Sequence, residues 1–139
     1  LLKLLSHQQP IVGALYSTKH PPYISLALKS FKDHEYVPYL WREMQGLIKC
    51  VAAGTGCMVI QRKVFEKIPA PWFLAAEFTD DLYFCQKAQL AEFPIYVDTN
   101  APVGHCSTHV VYPDLSVPGV RLEMMWFQIQ LPDDGEISE

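Results

Sequence analysis

The sequence predicts an α/β fold with a mixed, mainly parallel sheet flanked by helices. The run Ile11–Tyr16 is almost wholly apolar and has the length of a strand, which is typical of strands covered on both faces. Ile95–Val97 is a second apolar strand of this kind, and residues 80–92 between them follow the helical repeat. With 139 residues, of which 50% are apolar, the chain is one domain at most and can bury a core.

The N-terminal residues predict the end of a helix followed by the first strand. No N-cap residue precedes this helix, so we expect the chain to begin inside a helix, as a fragment of a longer polypeptide or a natural remnant of one. Pro10 ends the helix. Prolines in residues 17–22 predict a loop, and residues 23–28 predict a further strand. One face of the helix carries Leu1, Leu4 and Leu5.

The middle of the chain predicts a strand on each side of a glycine pair. Residues 47–51 and 57–60 both read as strands. Between them, the glycines on either side of Thr55 allow a close backbone approach to a ligand or, more commonly, a sharp bend.

Residues 29–42 follow no sustained period, and their aromatic side chains either line a carbohydrate site or anchor a loop. The residues singled out here are Gly54, Thr55, Gly56, Tyr36, Tyr39 and Trp41.

A helix beginning at Asp80 carries the clearest candidates for catalytic residues in the sequence. Thr79 is a good N-cap residue, and Asp80 and Asp81 occupy the first turn, where the helix dipole favours anions. Asp81 lies at the end of an apolar stripe, so we expect it to face the floor of a cleft. Asp80 is turned about 100° away, toward solvent, a substrate or a partner loop. In the alternative reading, both aspartates only cap the helix. The stripe consists of Phe84, Cys85, Ala88 and Ala91.

Trp72 belongs to a loop that follows a short predicted helix at residues 62–68. Two prolines end that helix, and Trp72 is as consistent with a core anchor as with a ligand contact. Farther on, residues 102–105 predict an extended segment ending at a turn. His105 and His109 are four residues apart with Cys106 between them, a spacing that on a helix brings metal ligands together.

We assign residues 1–112 to the folded domain and residues 113–139 to an extension that is partly helical and then loose. In this extension, the apolar residues Met125, Trp126 and Phe127 predict docking on the domain or on another chain.

Composition excludes some classes of partner. A net charge of −4 and a pI near 5.7 argue against a nucleic-acid-binding protein. No apolar run approaches the roughly 18 residues of a membrane span. Four cysteines without a C-x-x-C spacing suit a reducing compartment, so we expect a cytoplasmic protein.

In order and spacing, several segments resemble the second half of a family 2 type glycosyltransferase of the GT-A fold. That family has a G-T-G-C-M strand, a P-W-F loop, a helix beginning T/S-E-D, an I-Y-V-D strand and a V-G-H end. The corresponding segments here are Gly54–Met58, Pro71–Phe73, Thr79–Asp81, Ile95–Asp98 and Val103–His105.

The resemblance implies a partial GT-A fold and transfer of a sugar from a nucleotide-diphosphate donor to an acceptor hydroxyl with inversion. Asp81 matches the catalytic base, and Asp80 stands where the family usually has glutamate. The resemblance also places the acceptor beside Trp72 and the Gly54–Gly56 segment. A carboxylate held ionised at a helix N-terminus suits the task of taking a proton from a hydroxyl.

The donor side of such an enzyme is missing from this sequence. The family holds Mn²⁺ or Mg²⁺ with a D-x-D motif, and His105 matches a position that adds a ligand in some relatives. No D-x-D occurs here, so the resemblance implies a metal in a full-length parent and a fragment that is inactive alone. An uncovered sheet edge or apolar face then predicts a homodimer or larger assembly.

Two other functions remain open at this point. One is a non-catalytic carbohydrate-binding or scaffold remnant of the same fold, since the donor half is absent. The other is a small zinc protein using His105, Cys106, His109 and a distant cysteine.

Overall fold

A computed structural model describes residues 1–75, 79–106, 109–114, 116 and 119–124, the side chains of His109, Asp114 and residues 119–124 excepted. Three α-helices and ten strands occur in this part of the chain, with a short 3-10 helix at Trp41–Glu43. The helices are α1 Leu2–Ser6, α2 Arg62–Lys67 and α3 Asp80–Leu90. The strands are β1 Ile11–Leu15, β2 Ala27–Lys32, β3 Glu35–Pro38, β4 Leu47–Cys50, β5 Ala52–Ala53, β6 Met58–Ile60, β7 Ile95–Pro102, β8 His105–Cys106, β9 His109–Asp114 and β10 Gly119–Met124.

The central sheet has the order β4-β7-β1-β6, with β1 in the middle as its unbroken apolar pattern predicts. All five residues of β1 are buried. One face of the sheet packs Leu4 of α1 against Val12 and Ala14. The other face carries the larger core, in which the predicted stripe of α3 is buried. This core includes Ile11, Leu15, Ile95, Val97, Phe84, Cys85 and Ala88.

The expectations of an α/β fold and of a mixed sheet are confirmed, but the sheet is not mainly parallel. Only β1 and β7 run parallel, whereas β6 and β4 pair antiparallel with β1 and β7 respectively. The apolar pattern of a strand reports that both faces are covered; it carries no information about strand direction. The prediction of a mainly parallel sheet was therefore wrong.

A β-hairpin occupies the segment in which the sequence showed no period. Strands β2 and β3 pair antiparallel around Asp33 and His34, whose φ angles are 51° and 66°. Strand β2 also pairs with β5, which makes a second sheet ordered β3-β2-β5. The predicted strand at residues 23–28 actually begins at Ala27. The residue types of β2 and β3 do not follow the apolar–polar alternation that is usual for strands with one covered face, which hid the hairpin.

The two ends of the chain also differ from expectation. In α1 only Leu4 is buried, while Leu1 and Leu5 are 77% and 50% exposed. The described part of the expected helical extension is strand, because β9 pairs antiparallel with β10 through Met124. The predicted docking residues Met125, Trp126 and Phe127, and the acidic end, lie outside the described residues.

No helix among the described residues is long and apolar enough to cross a membrane.

Several large apolar side chains are exposed on the hairpin and on the loop after α2, but the expected homodimer stays a prediction. They are Phe31, Val37, Leu40, Trp72, Phe73 and Leu74.

Candidate functional site

A cavity of about 280 Å³ lies where the end of β1, the glycine segment before β6, the start of α3 and the segment before β8 meet. These elements are far apart in the chain, so the cavity exists only in the folded domain. Three of the residues expected at a site, Thr55, Gly56 and Asp81, line it together with the predicted metal ligand His105. The remaining lining residues are Tyr16, Leu26, Val103 and Gly104.

Asp81 is held in the cavity by Thr55, whose hydroxyl donates a hydrogen bond to Asp81 Oδ1. Asp81 is half-buried in the first turn of α3, where the helix dipole stabilises its negative charge. The second carboxylate oxygen, Oδ2, has no protein hydrogen-bond partner among the described residues. Asp81 therefore presents one anchored oxygen and one oxygen available to a ligand.

The cap of α3 differs in detail from the prediction. Thr79 stands at the N-cap position, but its side chain makes no capping hydrogen bond. Instead, Asp80 Oδ1 accepts the backbone N–H of Asp81 at 3.1 Å. Asp80 is exposed and does not line the cavity. Thus Asp80 has a local structural role, as the capping alternative proposed, whereas Asp81 is bonded to a different segment of the chain.

Tyr16 explains why two glycines flank Thr55. A Cβ at Gly54 would overlap the Tyr16 hydroxyl and lie 2.8 Å from its Cζ, and a Cβ at Gly56 would lie 2.9 Å from the hydroxyl. The backbone N–H of Gly56 donates to Tyr16 Oη at 2.7 Å. The glycines thus admit a tyrosine ring from β1, and the predicted contact of Gly54 with an acceptor stays a prediction.

The Tyr16 phenol remains protonated over the physiological range. Burial of the ring, the largest cause, and the nearby charge of Asp81 together raise the pKa of Tyr16 to about 12, against the lowering effect of the Gly56 N–H. Sequence reasoning missed Tyr16, which ends the apolar run of β1. A polar tip at the end of a buried strand was the available signal.

His105 borders the same cavity and has a defined tautomer. Its Nδ1 lies 2.7 Å from the Ser17 carbonyl oxygen, which can only accept, so Nδ1 carries a hydrogen and Nε2 is the nitrogen that holds the lone pair in a neutral ring. The ring meets Tyr16 edge-on, with centroids 5.3 Å apart and an interplanar angle of 89°. In this orientation His105 Nε2 can serve as a single metal ligand or as a hydrogen-bond acceptor.

The described residues contain no group of three His, Cys, Asp or Glu side chains able to hold a metal ion. His105 and Cys106 lie in strand β8, opposite Val111 and Val110, so the helix on which this spacing would bring metal ligands together is not formed here. His105 and His109 belong to two different strands, β8 and β9, which pair antiparallel, so their four-residue spacing does not place them one helical turn apart. The side chain of His109 is outside the described residues.

Trp72 is not among the described residues that line the cavity. Its indole N–H donates to the Ile68 carbonyl at 2.9 Å, and its ring packs edge-on against Phe65. Lys87 of α3 holds the preceding turn by donating to the carbonyls of Pro69 and Pro71. These contacts fit the loop-anchor alternative, although Trp72 is 41% exposed and keeps surface free for a ligand.

No protein-family model matches the chain, and no curated protein matches it. Among solved structures, the fold is similar to that of A197 from STIV, with a TM-score of 0.55 and 16% sequence identity. The match covers 91% of this chain, which spans 60% of the length of that protein. At this identity the likeness supports the fold alone.

Proposed function

We propose that this chain forms the acceptor side of an inverting glycosyltransferase of the GT-A type. The observation that carries the proposal is the placement of Asp81, at the N-terminus of α3 and inside a cavity, with one oxygen bonded to Thr55. A residue that only capped the helix would have no need of a partner 26 positions upstream.

In this reaction Asp81 is the general base. The Thr55 hydroxyl occupies Oδ1, and Oδ2 takes the proton of an acceptor hydroxyl. The acceptor oxygen forms a bond to the anomeric carbon of the donor. The bond from that carbon to the phosphate oxygen breaks, and the nucleotide diphosphate leaves with the electron pair. Attack opposite the leaving group inverts the anomeric carbon.

The donor-binding groups are not found in the described residues. His105 Nε2 fits one ligand of a Mn²⁺ or Mg²⁺ ion, which would offset charge on the leaving phosphate. One nitrogen does not make a cation site, however, and the sequence contains no D-x-D. We therefore expect the 139-residue chain to show no submillimolar binding of uridine- or guanosine-diphosphate sugars in calorimetry with Mn²⁺.

The missing D-x-D favours one second candidate, a non-catalytic carbohydrate-binding domain of the same fold. In that case glycosides would bind at the cavity, and no transfer would occur in any form of the protein. Transfer of labelled sugar by the complete gene product separates the two functions.

The first mutational prediction concerns Asp81. Asp81→Asn keeps the size of the side chain but cannot take a proton, so transfer by the complete gene product should fall by about 10²–10⁴-fold. The melting temperature should change little. Initial rates with nucleotide-diphosphate sugars and a panel of methyl glycosides measure the effect.

Asp80→Asn is the matched control, because it makes the same chemical change one position earlier on an exposed side chain. A smaller loss of transfer is expected for it. If Asp81→Asn instead left turnover intact and lowered the melting temperature, Asp81 would be a structural residue and the base would have to lie elsewhere.

A further inference from the structure

The Tyr16 hydroxyl is an unusual group to find beside the candidate base. The side chain is only 6% exposed, and it borders the cavity with Asp81. Its oxygen accepts the Gly56 N–H, but its own hydrogen has no acceptor among the described residues. Because the phenol is protonated at neutral pH, it holds a hydrogen-bond donor ready for a group inside the cavity.

Asp81 offers the complementary group. Thr55 occupies Oδ1, and Oδ2 lacks a protein partner among the described positions. The two side chains are linked through consecutive residues, since Thr55 binds Asp81 and Gly56 binds Tyr16. A free donor and a free acceptor are therefore anchored to one two-residue segment and border the same cavity.

A hydroxyl group is the chemical group that fits both, because it donates one hydrogen bond and accepts others. A carbonyl or a phosphate would leave the Asp81 oxygen facing another acceptor, and an ammonium group would leave the Tyr16 hydrogen without a partner.

We propose that Tyr16 and Asp81 together bind one ligand hydroxyl, which accepts from the Tyr16 phenol while it donates to Asp81 Oδ2. This inference rests on the proposed function in that the hydroxyl is the one to be glycosylated. As its proton moves to Asp81, negative charge grows on the ligand oxygen, and the bond from Tyr16 becomes a charge-assisted one. Tyr16 thus contributes more to the transition state than to the bound ground state.

The contact with His105 supports this role for the ring. The imidazole packs edge-on against Tyr16 and is itself held by the Ser17 carbonyl. Gly56 fixes the phenolic oxygen from the other side. A side chain restrained at both the ring and the hydroxyl presents its hydrogen in a set direction, which is what an electrostatic contribution to catalysis requires.

Tyr16→Phe removes the hydroxyl and keeps the ring. In the complete gene product we expect kcat for transfer to fall by about 10²–10³-fold, with a much smaller change in KM. Tyr83→Phe is the matched control, since Tyr83 is a half-buried tyrosine of α3 that does not line the cavity. A Tyr16→Phe enzyme with the kinetic constants of the wild type would overturn the inference while leaving the proposed function standing.

Site-specific replacement of Tyr16 by a fluorinated tyrosine distinguishes hydrogen-bond donation by the phenol from a purely structural effect of the Tyr16→Phe substitution. The fluorinated phenol is more acidic, so loss of its hydrogen should move the alkaline fall in activity to lower pH. An unchanged pH profile would contradict hydrogen-bond donation by Tyr16.

Binding to the 139-residue chain separates failure of the inference from failure of the proposed function. Titration of methyl glycosides and their monodeoxy analogues, followed by NMR, should show one hydroxyl whose removal weakens binding about 3- to 10-fold. That preference should vanish in Tyr16→Phe and in Asp81→Asn, without further loss in the double variant. A preference of this kind without any transfer would retain the hydroxyl site and refute the enzyme. No glycoside binding by the wild-type chain would overturn both.

Discussion

At the scale of single residues, Gly54 of the glycine pair matters because any larger residue there would crowd Tyr16 of the candidate site. Gly54→Ala places a methyl group against the Tyr16 hydroxyl and 2.8 Å from its ring carbon Cζ, so the tyrosine must leave its position. Overpacking of this kind costs about 1–3 kcal/mol. We expect that loss in the free energy of unfolding, measured with urea, together with a loss of glycoside binding.

Gly13→Ala is the control for this change. Gly13 lies in the same buried strand, but the nearest atom to a new Cβ there is Met58 Cε at 3.5 Å, an ordinary contact. The free energy of unfolding of the Gly13→Ala protein should change little or rise slightly. Equal costs at the two positions would show that Tyr16 does not depend on the space at Gly54.

At the scale of elements, α3 and β4 each bury a cysteine in the core. Burial raises the pKa of Cys85 to about 11, and its thiol donates a hydrogen bond to the Ala53 carbonyl at 3.4 Å. Burial likewise raises the pKa of Cys50 to about 12. At pH 8 both stay thiols, so iodoacetamide should modify the exposed Cys106 well before either of them.

The same shifts predict how stability varies in alkali. The unfolded chain releases these thiol protons near the ordinary cysteine pKa of about 8.5, whereas the folded chain retains them. Their stabilising contribution is therefore complete below that pH and is lost as the pH rises toward about 11 to 12. Mass-spectrometric alkylation rates and urea unfolding at pH 8, 9.5 and 10.5 test both statements. Alkylation of Cys85 as fast as Cys106 in the folded protein would contradict them.

At the scale of the whole molecule, strand β3 is an edge that invites self-association. It ends the second sheet and carries Val37, which is 40% exposed and lies opposite Ser30 of β2. Unpaired strand edges with apolar side chains tend to pair with another copy. We expect a dimer in sedimentation equilibrium that Val37→Lys dissociates.

Leu90→Lys is the matched control, because it adds the same charge at an exposed apolar position on a helix instead of a sheet edge. It should leave the dimer intact. A wild-type chain that stays monomeric at high concentration would refute self-association of this surface.

The candidate site was predicted in part. Asp81, Thr55 and Gly56 could be picked out because each belongs to a local pattern, a helix start or a glycine pair. Tyr16 could not, because its role depends on a contact with Gly56, 40 positions away. The β2–β3 hairpin was missed for a related reason. Its two strands are stabilised by pairing with each other, and their residues do not show the regular pattern of a strand.

By itself the sequence determined the buried strand Ile11–Leu15, the helix from Asp80 and the apolar stripe that docks it, because burial imposes a local periodicity. Tertiary structure alone decided that only β1 and β7 pair parallel in the central sheet, that the motif around His105 and Cys106 is a strand, and that Tyr16 fills the space between two glycines. Strand direction and cavity lining depend on the path of the chain between elements, and local residue patterns do not record that path.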